Sequence, residues 1–359
     1  MKMVMVAGAS GVLGRLVCEE LLRIFGNQMK LVVADYQEDR GKQTASSLGE
    51  DVGFRYLNVK NENSIKMAID CLDVVIVTTK QIDPLIQSTC IKKNILCLDV
   101  TPFQNFVAKV QNLDDDAKEN GVLSIVMSGF LPGLSGLMVK EAVSVFHKIN
   151  NINIGLMQNT NAKAGITGML DMLKIISQEV TYIDDKKSHQ LPGFSKKENM
   201  YFYEHKKVKK VRLIDHTEKR MLEQYLNTDR INYYTSWNNP FLSKLISSLK
   251  RIGVLRIIDK LDRDLLGKLV KHNPDKREEA FLTVEVRGVI NNKECRRVMA
   301  FSTFSDYHTT AMVTAALVKF ALREKFSGVV FPTDITSFEE VISEIDCDRM
   351  KFKSFIVDD

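Results

Sequence analysis

The chain opens with an apolar run that ends in three glycines, each three residues from the next. The run is Met3–Ala7, and the glycines are Gly8, Gly11 and Gly14. An uninterrupted apolar run is typical of a buried parallel strand, and the apolar residues after the glycines repeat with the period of a helix. The pattern therefore predicts a strand, a tight turn and a helix at the start of the chain.

Each glycine has its own role in a dinucleotide-binding turn. Gly8 would make the turn, Gly11 would let a pyrophosphate approach the backbone, and Gly14 would let helix and strand pack closely. Free N–H groups at the start of the helix would receive the phosphate. A second strand supports this prediction, because it closes with Asp35 about 20 residues after the glycines, where a ribose-binding carboxylate belongs. The alternative is an ordinary strand–helix turn, with Asp35 as a helix cap.

Strands and helices continue to alternate after Asp35, up to a sixth apolar strand. Continuous apolar strands separated by amphipathic helices predict a parallel sheet with helices on both faces. The expected fold class is α/β, with a doubly wound parallel sheet (Rossmann) over residues 1–128 and a second α+β domain over residues 129–359. We assign the second domain to substrate binding and dimerisation, and its C-terminal helices can pack back on the first domain.

The candidate cofactor contacts follow from a general rule for such sheets. Ligands bind beyond the carboxyl ends of the strands. The residues that the chain places there are Gly8, Ser10, Gly11, Val12, Leu13, Gly14, Asp35, Tyr36, Asn58, Val59, Thr78, Thr79, Lys80, Asp99 and Thr101.

The turn after the sixth strand is the expected substrate end of this crevice. Pro132 and Gly133 fix a turn beside the position that a nicotinamide ring would take. We therefore expect Phe130, Pro132 and Gly133 to contact the substrate. Ser135 or Gly136, near the start of the following helix, offers donors to a substrate anion, with simple turn and cap chemistry as the alternative.

Two residues of the second domain are candidates for the catalytic proton donor. The cofactor carries the hydride chemistry, so the protein orients it and supplies a proton. Lys163 and His308 each lie just ahead of a predicted helix. A lysine there binds a carboxylate or shares a proton, and a histidine titrates near neutral pH. The alternative for each is an ordinary surface or capping residue.

The residues around Asp35 also predict which cofactor binds. A carboxylate at this strand end accepts both ribose hydroxyls of NAD and repels the 2′-phosphate of NADP. Against this stands Arg40, which can pair with that phosphate but has to reach back from the following helix. The expected cofactor is therefore NAD or NADP, with NAD favoured.

Composition excludes several other classes of protein. The net charge of +5 and the 45% hydrophobic content are those of an ordinary globular chain. Six cysteines include no CxxC pair, so we expect no metal site and no disulfide framework. No apolar stretch approaches about 18 residues, and the N-terminus goes straight into a strand. We expect a cytoplasmic protein with a small-molecule substrate, no nucleic-acid or membrane partner, and a homo-oligomeric state, a dimer.

The first 135 residues resemble the saccharopine dehydrogenase-like oxidoreductases, a family with an N-terminal NAD(P)-binding Rossmann domain. The motifs that carry the resemblance are GASGVLG (8–14), VVAD (ending at Asp35), LDVVIVTT (72–79) and GFLPGLSGL (129–137), together with the C-terminal helix around 309–322 and GVVFP (328–332). Many members with amino-acid substrates place an acid before the Pro-Gly pair, whereas this chain has Leu131. The resemblance is therefore to a less characterised branch.

The resemblance implies an NAD(P)-dependent oxidoreductase of the saccharopine dehydrogenase-like type that acts on an unidentified small metabolite. The intact glycine turn and a sizeable second domain favour an enzyme. The alternative is a non-catalytic dinucleotide-sensing regulatory or scaffold protein, which the lack of a defined proton donor favours.

Overall fold

A computed structural model describes residues 1–162, 166–184, 187–203, 205, 208–251, 272, 273, 275–345 and 348–358. The chain divides into two compact units. The first contains Met1–Leu137 and Tyr307–Asp346, and the second contains Met138–Asp306 and Cys347–Asp359.

The first unit is built on a parallel sheet. Within the described ranges its strand order is β15-β6-β5-β4-β1-β2-β3. The strands are β1 (Lys2–Ala7), β2 (Met29–Asp35), β3 (Gly53–Tyr56), β4 (Val74–Val77), β5 (Leu96–Asp99), β6 (Leu123–Ile125) and β15 (Gly328–Val330). Each residue of β4 is buried, as expected for a strand covered on both faces. The predicted doubly wound sheet is therefore confirmed.

Helices of the first unit connect these strands. They are α1 (Val12–Phe25), α2 (Glu38–Leu48), α3 (Glu62–Ala68), α4 (Leu85–Lys92), α5 (Gln104–Gln111), α6 (Asp114–Glu119), α11 (Asp306–Arg323), α12 (Pro332–Ile335) and α13 (Phe338–Glu344), with a 3₁₀ turn at Gly26–Gln28 and with α7 (Leu134–Val143) at the unit boundary. The Asn61 side chain accepts a hydrogen bond from the Ser64 N–H and so caps α3. Residues far along the chain complete the sheet, because Gly328 in β15 pairs in parallel with Leu123 in β6.

The second unit is built on a mixed sheet with the order β10-β11-β12-β7-β13-β14-β16 over the described residues. Its strands are β7 (Lys148–Gln158), β10 (Lys197–Met200), β11 (Lys209–Ile214), β12 (Ile231–Trp237), β13 (Ala280–Ile290), β14 (Lys293–Thr303) and β16 (Lys351–Asp358). Strands β8 (Glu179–Asp184) and β9 (Lys187–Pro192) form a separate hairpin. The helices are α8 (Ile166–Ser177), α9 (Thr217–Leu226) and α10 (Pro240–Arg251).

The β13–β14 hairpin shows how local sequence sets this sheet. Asn291 and Asn292 connect the strands with φ values of 48° and 63°. Two successive residues with positive φ match the right-handed twist of a hairpin, and asparagine tolerates that conformation. The predicted second α+β domain is confirmed. None of the described helices is both long and apolar enough to cross a membrane.

Candidate dinucleotide-binding site

The glycine turn lies at the point where the strand order of the parallel sheet reverses. Strand β1 stands between β2 and β4, so the connections on its two sides run in opposite directions. Ala7, the last residue of β1, pairs with Val77, the last residue of β4. The turn that follows β1 and the 78–80 segment that follows β4 therefore meet at the carboxyl edge, where doubly wound sheets bind their ligands.

Two of the three glycines are required by close backbone packing. Gly8 has a φ of 83°, and a Cβ built on it would lie 2.8 Å from the Thr79 Cβ. A Cβ on Gly14 would lie 2.2 Å from the Gly8 carbonyl oxygen. Both distances are shorter than carbon–carbon or carbon–oxygen contacts allow. Gly8 and Gly14 thus have the turn and packing roles that their spacing predicts.

Gly11 is less tightly constrained than these two, because a side chain there would require the neighbouring backbone to shift by only a few tenths of an ångström. A Cβ there would lie 3.2 Å from the Gly8 carbonyl oxygen, and its φ of −75° suits any residue. Gly11 is the N-cap of α1, where it supplies no side-chain hydrogen bond, and the first turn of α1 carries no acidic residue. The helix therefore begins with uncompensated N–H groups and its positive dipole end.

The residue between these glycines adds a polar atom to the same turn. Ser10 Oγ is buried and has no hydrogen-bond partner among the described residues. A buried hydroxyl without a partner is unfavourable unless a ligand or water meets it. The hydroxyl, the bare helix start and the room beside Gly11 together fit an anionic group such as a pyrophosphate.

The carboxylate at the end of β2 is already paired. Arg40 Nη2 donates to both Asp35 oxygens at 2.9 Å, and the Gln37 N–H donates to Oδ1 at 2.9 Å. The Asp35 side chain is only 2% exposed, whereas that of Arg40 is 45% exposed. The Arg40 guanidinium also lies 5.8 Å from the centre of the exposed Tyr36 ring. Arg40 is on α2, as expected, and it reaches back to the strand end.

Other predicted cofactor contacts have structural partners of their own. The Asn58 Oδ1 accepts from the Lys60 N–H at 3.0 Å, and the Thr78 Oγ1 donates to the Ala7 carbonyl oxygen at 2.9 Å. Val59 packs against the core beneath β1 and β4. Lys80 Nζ lies 4.9 Å from the centre of the Phe103 ring. These contacts hold the loops of the carboxyl edge in place.

Asp99 is turned into the protein rather than toward solvent. It is 1% exposed, and its carboxylate accepts from Gln87 Nε2 at 2.7 Å and from the Thr101 N–H at 2.6 Å. Burial raises the pKa of the Asp99 carboxyl to about 6, against the hydrogen bonds from Thr101 and Gln87. Gln87 in turn accepts from Gln81 Nε2 at 3.1 Å. Asp99 thus anchors the loop after β5 through a polar chain that ends at the loop after β4.

Sequence reasoning missed the two glutamines of this chain. Gln87 is fully buried in α4, at a position where an apolar residue is usual. The available signal in the sequence is the position of Gln87, a polar residue on the side of α4 that is expected to be apolar. Its partner is set by the packing of α4 on β5, which the sequence does not reveal.

The turn after β6 is compact and buried. Gly133 has a φ of 124°, and a Cβ on it would lie 2.3 Å from the Gly129 carbonyl oxygen. The Leu131–Pro132 peptide bond is cis, and Phe130 is 2% exposed. The Ser128 N–H donates to the Asp99 carbonyl oxygen at 3.1 Å, which ties this turn to the end of β5. The three expected substrate residues therefore lie in a rigid turn at the carboxyl edge.

The two catalytic candidates have different outcomes. Lys163 lies outside the described residues. His308 was expected just ahead of a helix in the second domain, but it is the third residue of α11 and belongs to the first unit. The helix begins earlier because Asp306 supplies an acidic residue in its first turn, which suits the positive end of the helix dipole. A catalytic role for either residue stays a prediction.

Comparison with known proteins agrees with this geometry. The family model of the saccharopine dehydrogenase NADP binding domain matches residues 4–125. Apo saccharopine dehydrogenase (L-Glu forming) from Saccharomyces cerevisiae has a similar structure, with a TM-score of 0.76 and 12% identity over 99% of this chain and 100% of that one. C. glutamicum DAP dehydrogenase in complex with DAP has a TM-score of 0.50 and 12% identity over 95% and 98% of the two chains.

These findings confirm the resemblance and the fold that it implies. No curated protein matches the sequence. At 12% identity, the similarity to the two solved structures is evidence for the fold alone. The assignment of the nucleotide-binding domain is based on the family-model match over residues 4–125.

Proposed function

We propose that this chain, whose residues 4–125 belong to the saccharopine dehydrogenase NADP binding domain family, is an NAD(P)-dependent oxidoreductase that acts on a small metabolite. The single observation that carries the proposal is the turn between β1 and α1. It combines a helix start with no acidic residue or side-chain cap, a Ser10 hydroxyl with no partner among the described residues, and a glycine at position 11 that packing constrains less than Gly8 and Gly14. If this turn served only to pack the helix on the strand, we would expect a capping side chain at the helix start and a hydrogen-bond partner for the Ser10 hydroxyl.

The second unit supports an enzyme rather than a nucleotide carrier alone. When bound, a nicotinamide cofactor supplies or accepts the hydride. The chain's own residues bind it at the carboxyl edge and orient it through the loops after β4 and β5, which the Thr78 and Asp99 hydrogen bonds hold in place. We assign the 130–133 turn to the substrate side of this edge, and we retain Lys163 and His308 as candidate proton donors.

We further propose NADP(H) as the cofactor, in place of the NAD preference expected from Asp35. That expectation required a carboxylate available to both ribose hydroxyls. Arg40 instead neutralises Asp35, and its guanidinium is half exposed beside Tyr36, so it is available to a 2′-phosphate. The family match, to an NADP binding domain, supports the same choice.

We propose a cytoplasmic location for the enzyme. Cys18, Cys71, Cys90, Cys97 and Cys295 are free thiols, which suits a reducing compartment. The substrate is a small metabolite whose carbonyl or imine accepts the hydride.

Turnover is the test of this function. The full chain is mixed with NADPH or NADH and a panel of imines, ketones and lactones, and cofactor oxidation is followed by absorbance. The Gly11→Leu variant is the matched control, because it should fold but lose the cofactor. Cofactor oxidation by the wild type but not by the variant supports the proposal. Cofactor binding with no turnover of any panel member favours the dinucleotide-sensing alternative, and absence of binding contradicts both.

A further inference from the structure

One buried residue connects three loops at the carboxyl edge of the first unit's sheet. Asp99 is the last residue of β5 and lies beside Val77, the last residue of β4. Its side chain accepts from the Thr101 N–H in the loop after β5 and from Gln87 in α4, the helix that follows the loop after β4. Its backbone carbonyl oxygen accepts from the N–H and from the hydroxyl of Ser128, both at 3.1 Å, in the turn after β6.

The hydrogen bonds between Asp99 and the loop after β4 run in one direction. The Ile86 N–H, at the start of α4, donates to Gln81 Oε1 at 3.3 Å. Gln81 Nε2 donates to Gln87 Oε1 at 3.1 Å, and Gln87 Nε2 donates to Asp99 Oδ2 at 2.7 Å. Because a backbone N–H can only donate, both amides turn their oxygens toward Ile86 and their nitrogens toward Asp99. The chain of hydrogen bonds therefore needs an acceptor at position 99.

An ionised carboxylate suits this position because it accepts at both oxygens. The second oxygen, Oδ1, receives the Thr101 N–H, which is also a fixed donor. An asparagine side chain has one accepting oxygen and one donating nitrogen. Whichever way it and the two glutamine amides turn, two donors must face each other somewhere between Ile86 and Thr101. Asp99→Asn thus keeps the size of the side chain but breaks the hydrogen bonds that fix the loop after β4.

The three loops that Asp99 connects belong to one half of the dinucleotide site. A doubly wound sheet is built from two mononucleotide-binding halves, and a dinucleotide lies across both. The glycine turn and the Asp35–Arg40 pair follow β1 and β2, in the first half, and we assign them to the pyrophosphate and the 2′-phosphate. The nicotinamide nucleotide is then left to the second half, which contains the loops after β4, β5 and β6.

We propose that Asp99 is a positioning residue for the nicotinamide half of the cofactor. Because it is only 1% exposed, it acts through the loops rather than by touching the cofactor. Its ionised side chain fixes the loops against which the nicotinamide nucleotide binds. This inference rests on the proposed function, since it assumes a nicotinamide cofactor at this edge. It adds that the two halves of the site are held by separate residues, the first by Arg40 and the glycine turn and the second by Asp99.

Calorimetric titration with two ligands separates this role from a purely structural one. NADPH spans both halves of the site, whereas adenosine 2′,5′-bisphosphate fills only the first. The wild type should bind both ligands. Asp99→Asn should weaken NADPH binding about tenfold or more and should leave binding of the bisphosphate within about twofold of the wild type. A purely structural role would weaken both ligands alike.

A second variant and a matched control accompany this measurement. Gln87→Met keeps the length of the side chain and removes the link to the loop after β4, so it should also weaken NADPH binding selectively. Asp73→Asn is the control, because the Asp73 carboxylate accepts from the Met3 N–H at 2.8 Å at the opposite, amino end of the same sheet. It should leave both affinities unchanged. Circular dichroism and retained binding of the bisphosphate show that each variant is folded.

The outcomes distinguish this inference from the proposed function. Selective loss of NADPH affinity in Asp99→Asn and Gln87→Met, with Asp73→Asn like the wild type, supports the inference. Wild-type NADPH affinity in either of the first two variants, equal loss of both ligands, or the same selective loss in Asp73→Asn overturns it and leaves the proposed function standing. A wild type that does not bind NADPH contradicts the proposed function and overturns this inference with it.

Discussion

The Arg40 guanidinium lies 2.9 Å from both carboxylate oxygens of Asp35, so the acid that closes β2 is neutralised by the helix that follows it. An aspartate at this position favours NAD only when it is free to accept ribose hydroxyls and to repel a phosphate. Here the Arg40 guanidinium is held beside the Asp35 carboxylate, and the Arg40 side chain is about half exposed. We therefore expect the choice between NADP and NAD to be made at this pair, with Arg40 as the residue that contacts the 2′-phosphate.

The first prediction follows from this pair. Arg40→Ala should weaken NADPH binding by about 10- to 100-fold, because it removes a charge-assisted contact to the 2′-phosphate and leaves the Asp35 carboxylate to repel it. NADH binding should be kept or strengthened, because the freed Asp35 carboxylate can accept the ribose hydroxyls. Asp35→Ala is the matched control, and it should leave NADPH binding within a few-fold of the wild type. Calorimetric titration measures these affinities for the wild type and both variants, and an Arg40→Ala variant that binds NADPH as tightly as the wild type would refute the assignment.

The second prediction separates structural from functional glycines. Gly14→Ala should destabilise the first unit by about 1–3 kcal/mol, because its Cβ would lie 2.2 Å from the Gly8 carbonyl oxygen. Gly11→Ala should cost less than about 1 kcal/mol, because the corresponding distance is 3.2 Å. Chemical denaturation followed by circular dichroism measures both. Equal destabilisation by the two substitutions would show that packing requires glycine at position 11 as strictly as at position 14.

The third prediction concerns the buried Asp99. Its pKa of about 6 lies above the ordinary value of 3.8, so burial penalises its charged form in the folded state. The stability that Asp99 contributes is complete below about pH 4 and decreases as the pH rises to about 6, by ~3 kcal/mol in all. Asp99→Asn should remove this decrease. Denaturation at pH 4, 5, 6 and 7 measures it, and an unchanged pH profile in the variant would argue against a buried titrating carboxyl.

The fourth prediction has the opposite sign and lies in the second unit. His216 stacks on Tyr233 with ring centres 4.5 Å apart, and Tyr233 donates to the buried Glu218 at 2.6 Å. Burial lowers the pKa of His216 from 6.5 to about 3. Its pKa is lower in the folded than in the unfolded protein, so the contribution of His216 to the free energy of unfolding is fully present above about pH 6.5. It is lost as the pH falls toward 3, by about 1.4 kcal/mol per pH unit.

His216→Phe keeps the stacked ring without a titrating group, so it should flatten the acid side of the stability profile. His189→Phe, at an exposed position in β9, is the control and should leave that slope unchanged. Denaturation between pH 4 and 7 makes the comparison. A His216→Phe variant that keeps the full acid slope would show that other groups govern it.

Much of the first unit could be predicted because its signals are local. Uninterrupted apolar runs identify strands buried on both faces, and Gly8, Gly11 and Gly14 mark the turn whatever the rest of the chain does. The Asn291–Asn292 hairpin was equally local. The doubly wound sheet followed from alternation alone, since parallel strands require crossover helices.

The sequence did not reveal which residues pair with each other in the tertiary structure. Asp35 and Arg40 were each identified, but their pairing depends on how α2 approaches β2. The burial of Asp99 against Gln87 depends on how α4 packs on β5. The addition of β15 to the first sheet joins residues far apart in the chain, and no local pattern indicates which edge such a strand extends. These are tertiary relationships, and periodicity carries no information about them.

The central claim is tested most directly by calorimetric titration of NADPH into the full chain and into its Gly11→Leu variant. The wild type should bind one NADPH per chain, and the variant, with an unchanged circular dichroism spectrum, should bind at least about tenfold more weakly, because the leucine side chain fills the space beside the bare start of α1. A wild type that binds neither NADPH nor NADH, or a folded Gly11→Leu variant that binds as tightly as the wild type, would contradict the account.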